Sequence, residues 1–309
     1  MTEQKAPEAG RQWLRECSLV VAGSNGQGLE LGELRVVFKV SKGAVETPNS
    51  AEIRVYNPSE TTANSIRREF SQVVLQAGYQ GGFGIIFSGN IRQVRRGREN
   101  GTDTWLEIIA ADGDWAYNYA VVNATLAAGS TPADRMKVCQ GAFSEKGVQE
   151  GHMTDPGGNG LPRGKVMYGM ARKHMRDAAG DSGCEWSFQD GKVQVVKASG
   201  YLPGEAVVLT HETGLIGTPE QTNEGIKVRC LLNPSLRIGG RIKLDNKSVQ
   251  QVKTDLKMRA VYPPRLDHDG LYRILRLDFV GDTRGNDWYA DALCIGLDDT
   301  SYLPLDMVR

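Results

Sequence analysis

Ala51-Glu52-Ile53-Arg54-Val55-Tyr56-Asn57-Pro58 and Ile226-Lys227-Val228-Arg229-Cys230-Leu231-Leu232-Asn233-Pro234 are one local pattern written twice. In each, apolar residues alternate with charged ones, the period of a strand with one buried face. Each then stops at Asn-Pro. Proline offers no N–H to a ladder and biases the residue before it toward extended backbone, so the dipeptide ends both strands at the same point.

The likeness continues outward from both copies. Upstream of the first, Val36, Phe38 and Val40 point one way while Arg35 and Lys39 point the other. Downstream, Pro58-Ser59-Glu60 opens a short helix to about Phe70, a strand covers residues 73–79, and residues 84–96 and 104–110 flank a polar turn as a hairpin. Gly89 inside that hairpin predicts a bulge or a close backbone approach. After the second copy, residues 241–245 alternate, and residues 271–280 and 288–296 flank a turn at 281–286. Strand to Asn-Pro, following strand and long hairpin therefore correspond, and a β module is used twice.

The middle of the chain has a different character. Ser130-Thr131-Pro132 starts a helix that is expected to stop at Gly141. A Gly-, Pro- and Asp-rich loop follows over 147–164. Met167, Met170, Ala171, His174, Met175 and Ala178 recur at helical spacing, predicting a second helix that ends at Gly180. Residues 184–188 and 192–196 flank Gln189-Asp190-Gly191, where Asp-Gly suits a type I′ hairpin turn. Residues 213–225 read as a loop. The expected organisation is a flexible N-terminus (1–14), a first β-barrel domain (15–118), an α/β insert (119–205) and a second β-barrel domain (206–309). The fold class is mainly β with a small α/β insert, α+β overall.

Composition limits the function. The chain has 309 residues, enough for about two domains of ~150 residues. Lys+Arg and Asp+Glu are balanced at 37 each, which argues against a protein that coats nucleic acid. The five cysteines (17, 139, 184, 230, 294) show no CxxC spacing and read as reduced and mostly buried. No apolar N-terminal segment and no run of ~18 apolar residues is present, so the expectation is a soluble protein without membrane insertion.

Catalytic motifs are missing from the sequence. The four histidines are dispersed, with no HExxH, GxSxG or P-loop pattern. Asp112-Gly113-Asp114 begins like a calcium loop, but the twelve-residue ligand pattern fails, and it reads as a polar turn after a strand. No catalytic residue, metal ligand or cofactor is assigned. Arg95, Arg96 and Arg98 form a basic cluster at a hairpin tip, either a solvated loop or a contact to an acidic neighbouring protein. DNA contact is disfavoured because no aromatic residue is interleaved. Trp105, Trp115, Trp186 and Trp288 would be the candidates for a sugar platform in a cell-wall-binding module.

Gly214-Leu215-Ile216-Gly217-Thr218-Pro219-Glu220, running into the second Asn-Pro strand, resembles the baseplate hub proteins of tailed bacteriophages. Residues 51–58, 73–79, Phe87-Ser88-Gly89-Asn90-Ile91 and Gly281-Asp282-Thr283-Arg284-Gly285-Asn286 add to the likeness, which spans about residues 15–297. The resemblance implies a non-enzymatic homotrimer with two tail-tube-like β-barrels per subunit, made in the host cytoplasm and located in the virion tail baseplate. Such a trimer adapts the six-fold tail tube to the three-fold central spike. Its partners would be the tail tube protein, the central spike protein and other baseplate proteins, with DNA passing through the channel without specific binding. A tail-associated peptidoglycan hydrolase or cell-wall-binding module is the alternative. Lumen-facing positions are expected to be polar and not strongly basic: Ser88, Asn90 and Glu107 in the first module, Asp278 and Asp291 in the second. Arg92 and Arg276 are expected to pair with those acids across strands.

Overall fold

The computed structural model describes residues 13–23, 28–222, 224–251 and 266–297. The N-terminal residues 1–12 and the Tyr262-Pro263-Pro264 segment lie outside that set. The first repeat comprises β1 (Arg15–Gly23), β2 (Gly28–Glu30), β3 (Val36–Gly43), β4 (Ser50–Tyr56), α1 (Glu60–Glu69), β5 (Phe70–Tyr79), β6 (Gly82–Arg98) and β7 (Thr104–Ala111). The middle region holds α2 (Asp114–Tyr119), β8 (Val121–Leu126), α3 (Pro132–Ser144), β9 (Gln149–Met153), β10 (Lys165–Met170), α4 (Ala171–Gly180), β11 (Cys184–Gln189) and β12 (Lys192–Lys197). The second repeat follows with β13 (Val207–Val208), β14 (Leu215–Thr222), β15 (Gly225–Leu231), β16 (Arg241–Lys243), β17 (Gln250–Gln251), β18 (Leu271–Asp282) and β19 (Trp288–Gly296).

The expected mainly β architecture with an α/β insert is borne out, and the repeat has a specific spatial form. In the first repeat the strands lie in the order β3-β4-β7-β6; in the second the order is β14-β15-β19-β18. Each Asn-Pro strand pairs antiparallel with the second strand of its own hairpin, β4 with β7 and β15 with β19. The strands after the Asn-Pro stops also correspond, since β5 pairs with β6 and β16 with β18. The two units are joined head to tail by β3 and β18, with Val40 opposite Phe279 and Phe38 opposite Gly281. Both repeats thus share one sheet.

They also share one core. Leu19, Phe38, Val40, Ile53, Phe87 and Ile108 cluster with Val228, Cys230, Leu277, Phe279 and Trp288. Trp288 packs edge-on to Phe38 at 5.4 Å between ring centroids, and its indole N–H donates to the Gly78 carbonyl at 3.3 Å. Arg15 stacks over the same indole. The middle region has its own apolar cluster of Met136, Phe143, Met175, Trp186 and Phe188 among others.

Several local readings are corrected. Met167 and Met170 lie on β10, paired antiparallel with β8, and the helix begins only at Ala171. A period of 3–4 over so few residues is ambiguous, and pairing with a distant strand decides it. The earlier helix, capped by Thr131 and Asp134, runs through Gly141 to Ser144, because one glycine costs too little to end a helix whose neighbours are buried. Residues 215–222, read as loop, form β14, and Gln149–Met153 inside the Gly-rich stretch form β9. Asn57 is not extended: it adopts φ 53°, and its side chain accepts from the Thr104 N–H (2.9 Å) and donates to Asp103 (3.1 Å). The Asp190-Gly191 turn has φ 56° and 79°, the left-handed pair expected of type I′. Gly89 marks a close approach, since a Cβ there would lie 2.7 Å from the Ala111 carbonyl oxygen.

Candidate functional site

The pleat sends one side of the shared sheet into the core and presents the other as a polar face. A transverse row on that face runs Arg229, Asp291, Asp278, Ser41, Ser50, Ala111, Asn90 across β15, β19, β18, β3, β4, β7 and β6. A second row runs Asp282, Val37, Arg54, Glu107, Arg95. Asp278, Asp291 and Asn90 are thereby brought into one row, and Glu107 and Arg95 into another, with the Lys39–Glu52 row between them.

Asp278, Asp291 and Glu107 on this face are each paired with arginine. Asp278 and Asp291 sit directly opposite, an unfavourable pairing by itself. Arg229 offsets it with a bidentate grip on Asp291 (2.7 and 2.9 Å), and Arg276 donates to Asp278 at 3.1 Å. Arg276 therefore pairs along its own strand and not across strands. Glu107 is buried and accepts from Arg54 (2.9 Å) and from Arg95. Burial works against its ionised form, but the hydrogen bonds of both guanidiniums outweigh burial and hold its carboxyl below the usual range.

The other arginines are dispersed by the strand geometry. Arg92 is the extra residue at the β6 bulge and reaches Asp114 of α2 at 3.5 Å. Arg96 is opposite Leu106 on the core-side phase and contacts Glu60 of α1 at 3.5 Å. Arg98 is opposite Thr104 at the hairpin's end. The tip cluster read from sequence is thus split between two faces by the pleat. Ser88 is half-buried beside Gly191, and Asn90 is buried, its side-chain oxygen accepting from the backbone N–H of Trp115 at 3.4 Å.

That cover is a docking site the sequence reading missed. The β11–β12 turn of the insert seats on the first repeat. Asp112 accepts the backbone N–H of Asp190 (2.6 Å) and of Gly191 (2.9 Å). Lys42 donates to Asp190 at 2.5 Å, Asn49 donates to the Phe188 carbonyl at 2.7 Å, and Gln189 donates to the Gly43 carbonyl at 2.9 Å. Asp112 is fully buried, and desolvation, with Asp190 adding repulsion, pushes its carboxyl up to about 7 against the two N–H donors and Lys42. The signal was present in the alternation. Leu106, Ile108 and Ala110 point inward, so the same phase carries Asp112 inward too.

The second repeat holds the other side of the insert. Arg273, 3% exposed, pairs with Glu185 and donates to the Ala198 carbonyl at 2.6 Å, while Gln194 donates to the Ile238 carbonyl at 3.0 Å. Arg176 of α4 pairs with Glu46 of the first repeat at 2.7 Å. The insert is clamped between the repeats by polar contacts.

Among the described residues, no three His, Cys, Asp or Glu side chains gather as a metal site, and no helix is long and apolar enough to cross a membrane. Trp186 and Trp288 are buried in different cores, so the tryptophans do not form a common platform. Cys139, Cys184, Cys230 and Cys294 are free and buried, and burial raises each thiol's pKa, to about 12 for Cys139 and Cys230.

Residues 163–255 match the family model described as baseplate hub gp41. The 43 kDa tail protein of prophage MuSo2 from Shewanella oneidensis is similar over 93% of this chain and 98% of its own, with TM-score 0.58 and 8% identity. A tail protein from Neisseria meningitidis MC58 is similar over 93% of this chain and 99% of its own (TM-score 0.56, 11% identity). The E. coli c3393 protein, a component of the type VI secretion system with structural similarity to T4 bacteriophage tail proteins gp27 and gp5, is similar over 89% of this chain and 77% of its own (TM-score 0.55, 12% identity). At these identities the structures establish the fold. The resemblance to baseplate hub proteins is borne out, with the family match lying in the insert and the second repeat. No curated protein sequence matches the chain.

Proposed function

We propose that this chain is the hub subunit of a phage or phage-like contractile tail: a homotrimer that joins the six-fold tail tube to the three-fold central spike. The observation that carries this reading is the head-to-tail repeat, β3-β4-β7-β6 followed in space by β14-β15-β19-β18. A chain with two equivalent units converts symmetry simply, because three chains then present six units to the tube and three to the spike. The partial family match and the fold shared with phage tail and secretion-system proteins support it.

In this reading the polar face lines the channel. Arg229 and Arg276 each pair with an aspartate and Arg54 and Arg95 share Glu107, so DNA would meet a surface whose positive charges are largely compensated and would pass without being held. The role is structural, with no catalytic step. The boundaries at 15–118, 119–205 and 206–309 then separate tube-facing units from an outward insert that meets spike or other baseplate proteins. The site of action is the virion tail baseplate, after synthesis in the host cytoplasm.

Negative-stain imaging of the purified chain, with its mass measured on the same sample, tests the proposal. A three-fold ring with a central hole is expected. A particle of another symmetry, or a monomer that the cognate spike protein fails to assemble, overturns it.

A further inference from the structure

Four of the most exposed large apolar side chains among the described residues lie together on the insert. Tyr119 is 67% exposed, Val121 53%, Val166 69% and Tyr168 76%. β8 and β10 form a separate two-stranded ribbon, in which Val121 is opposite Met170, Asn123 opposite Tyr168 and Thr125 opposite Val166. Val122 and Met167, on the alternate phase, are buried in the insert core, with Ala124 and Leu126 packed against it. The pleat therefore turns the first phase outward, and buried Ala120 lets Tyr119 continue it before the strand. Backbone pairing also runs on past the other end, where the Leu161 N–H donates to the Ser130 carbonyl at 2.8 Å.

The charge around this face has one sign. No charged residue occurs from 115 to 133, and residues 156–176 include Arg163, Lys165, Arg172, Lys173 and Arg176 with no Asp or Glu. In a chain with 37 residues of each sign, that is a local excess of positive charge. Arg163 and Lys165 stand at one end of β10, and Arg172 and Lys173 follow its other end. Arg176 is taken up by Glu46, and Arg172 donates to the Tyr117 carbonyl. Arg163 and Lys173 are exposed.

We propose that the β8–β10 ribbon adsorbs the protein to an anionic phospholipid bilayer surface. Tyr119 and Tyr168 seat at headgroup level beside Val121 and Val166, while Arg163, Lys165 and Lys173 meet lipid phosphates. A tyrosine ring with its polar tip suits that boundary, and each Lys or Arg near a negative membrane surface adds attraction. Two features favour lipid over a protein partner. A stable protein interface takes about 20–30 residues a side, whereas the ribbon turns only three positions of each strand outward. A flank of one sign also matches a surface of uniform negative charge.

Co-sedimentation of the full chain tests this, with vesicles of phosphatidylglycerol and phosphatidylcholine in equal parts and with vesicles of phosphatidylcholine alone. Binding is expected on the anionic vesicles only, falling as salt is raised. Val166→Ser with Tyr168→Ser, and separately Arg163→Gln with Lys173→Gln, should each weaken it about tenfold or more. Arg67→Gln with Arg68→Gln, which removes two exposed arginines from α1, should leave it unchanged. Thermal melting of each variant confirms folding, and the exposed Arg163 and Lys173 pair carries the test if the ribbon pair unfolds. Equal binding to both vesicles, or an equal loss in the α1 variant, overturns the proposal. Absence of binding to the anionic vesicles also overturns it and leaves the face to a protein partner.

Discussion

The buried carboxylate of Asp112 accepts the backbone N–H of Gly191 at 2.9 Å, tying the last residue of the first repeat's inward phase to the tip of the insert. With Asp190 bound at 2.6 Å, one side chain satisfies both N–H groups of a type I′ turn. Asp112→Ala is expected to destabilise the protein by about 2–3 kcal/mol, because the turn's donors would stay buried without acceptors. Asp112→Asn keeps one acceptor and should cost less. Urea midpoints of the two variants check the order; equal, negligible effects would show that the turn docks without Asp112.

The same residue sets a pH dependence. Its carboxyl is raised from 3.8 to about 7 in the folded chain, so between those values the native state binds more protons than the unfolded state. Stability should therefore fall as pH rises from about 4 to about 7, and level off above. Glu107 acts in the opposite sense: its carboxyl is lowered from 4.5, so its contribution is present above that value and lost as pH falls below it. The windows meet only near pH 4, and Asp112→Asn should flatten only the upper one. Unfolding free energies at pH 5 and pH 8 on both chains decide this.

On the other side of the insert, Arg273 and Glu185 form a nearly dry ion pair, with Arg273 also donating to the Ala198 carbonyl. Arg273→Ala leaves Glu185 without its partner and should cost about 3–5 kcal/mol. Replacing both, Arg273→Met with Glu185→Leu, should recover much of that loss, because the apolar pair carries no charge to desolvate. A double-mutant cycle showing simple additivity would refute the coupling. Limited proteolysis should show the single variant cut first within the insert.

Phe38 and Trp288 hold the joint between repeats, their rings meeting edge to face 5.4 Å apart. Trp288→Ala is expected to cost about 3–5 kcal/mol from lost burial. Because both repeats share that core, calorimetry should show one unfolding transition in the wild type. Two well-separated transitions would mean that the repeats fold independently.

Much of this architecture was legible in the chain. Alternation at residues 51–56 and 226–231, both Asn-Pro stops, both long hairpins and the Asp190-Gly191 turn depend on neighbours a few residues apart, and such patterns survive reading in one dimension. The polar character of Glu107, Asp278 and Asp291 was readable for the same reason. Their compensation was only half visible, since Arg276 pairs on its own strand, whereas Arg229 and Arg54 come from strands distant in sequence.

Tertiary structure decided the rest. That β3 pairs with β18, with Arg35 reaching Asp282 across 247 residues, follows from a shared core that exists only once both repeats have formed. Met167 and Met170 sit in a strand because β8 offers an edge, whatever their spacing implies. Asp112 reads as a turn residue until the insert folds over it and removes its water. By itself the sequence determined the alternating strands around both Asn-Pro stops and that a unit occurs twice, because side-chain alternation is local; β9, β10 and β14 it did not determine. The fold determined which edges meet, because edge pairing depends on distant backbone whose position no local pattern encodes.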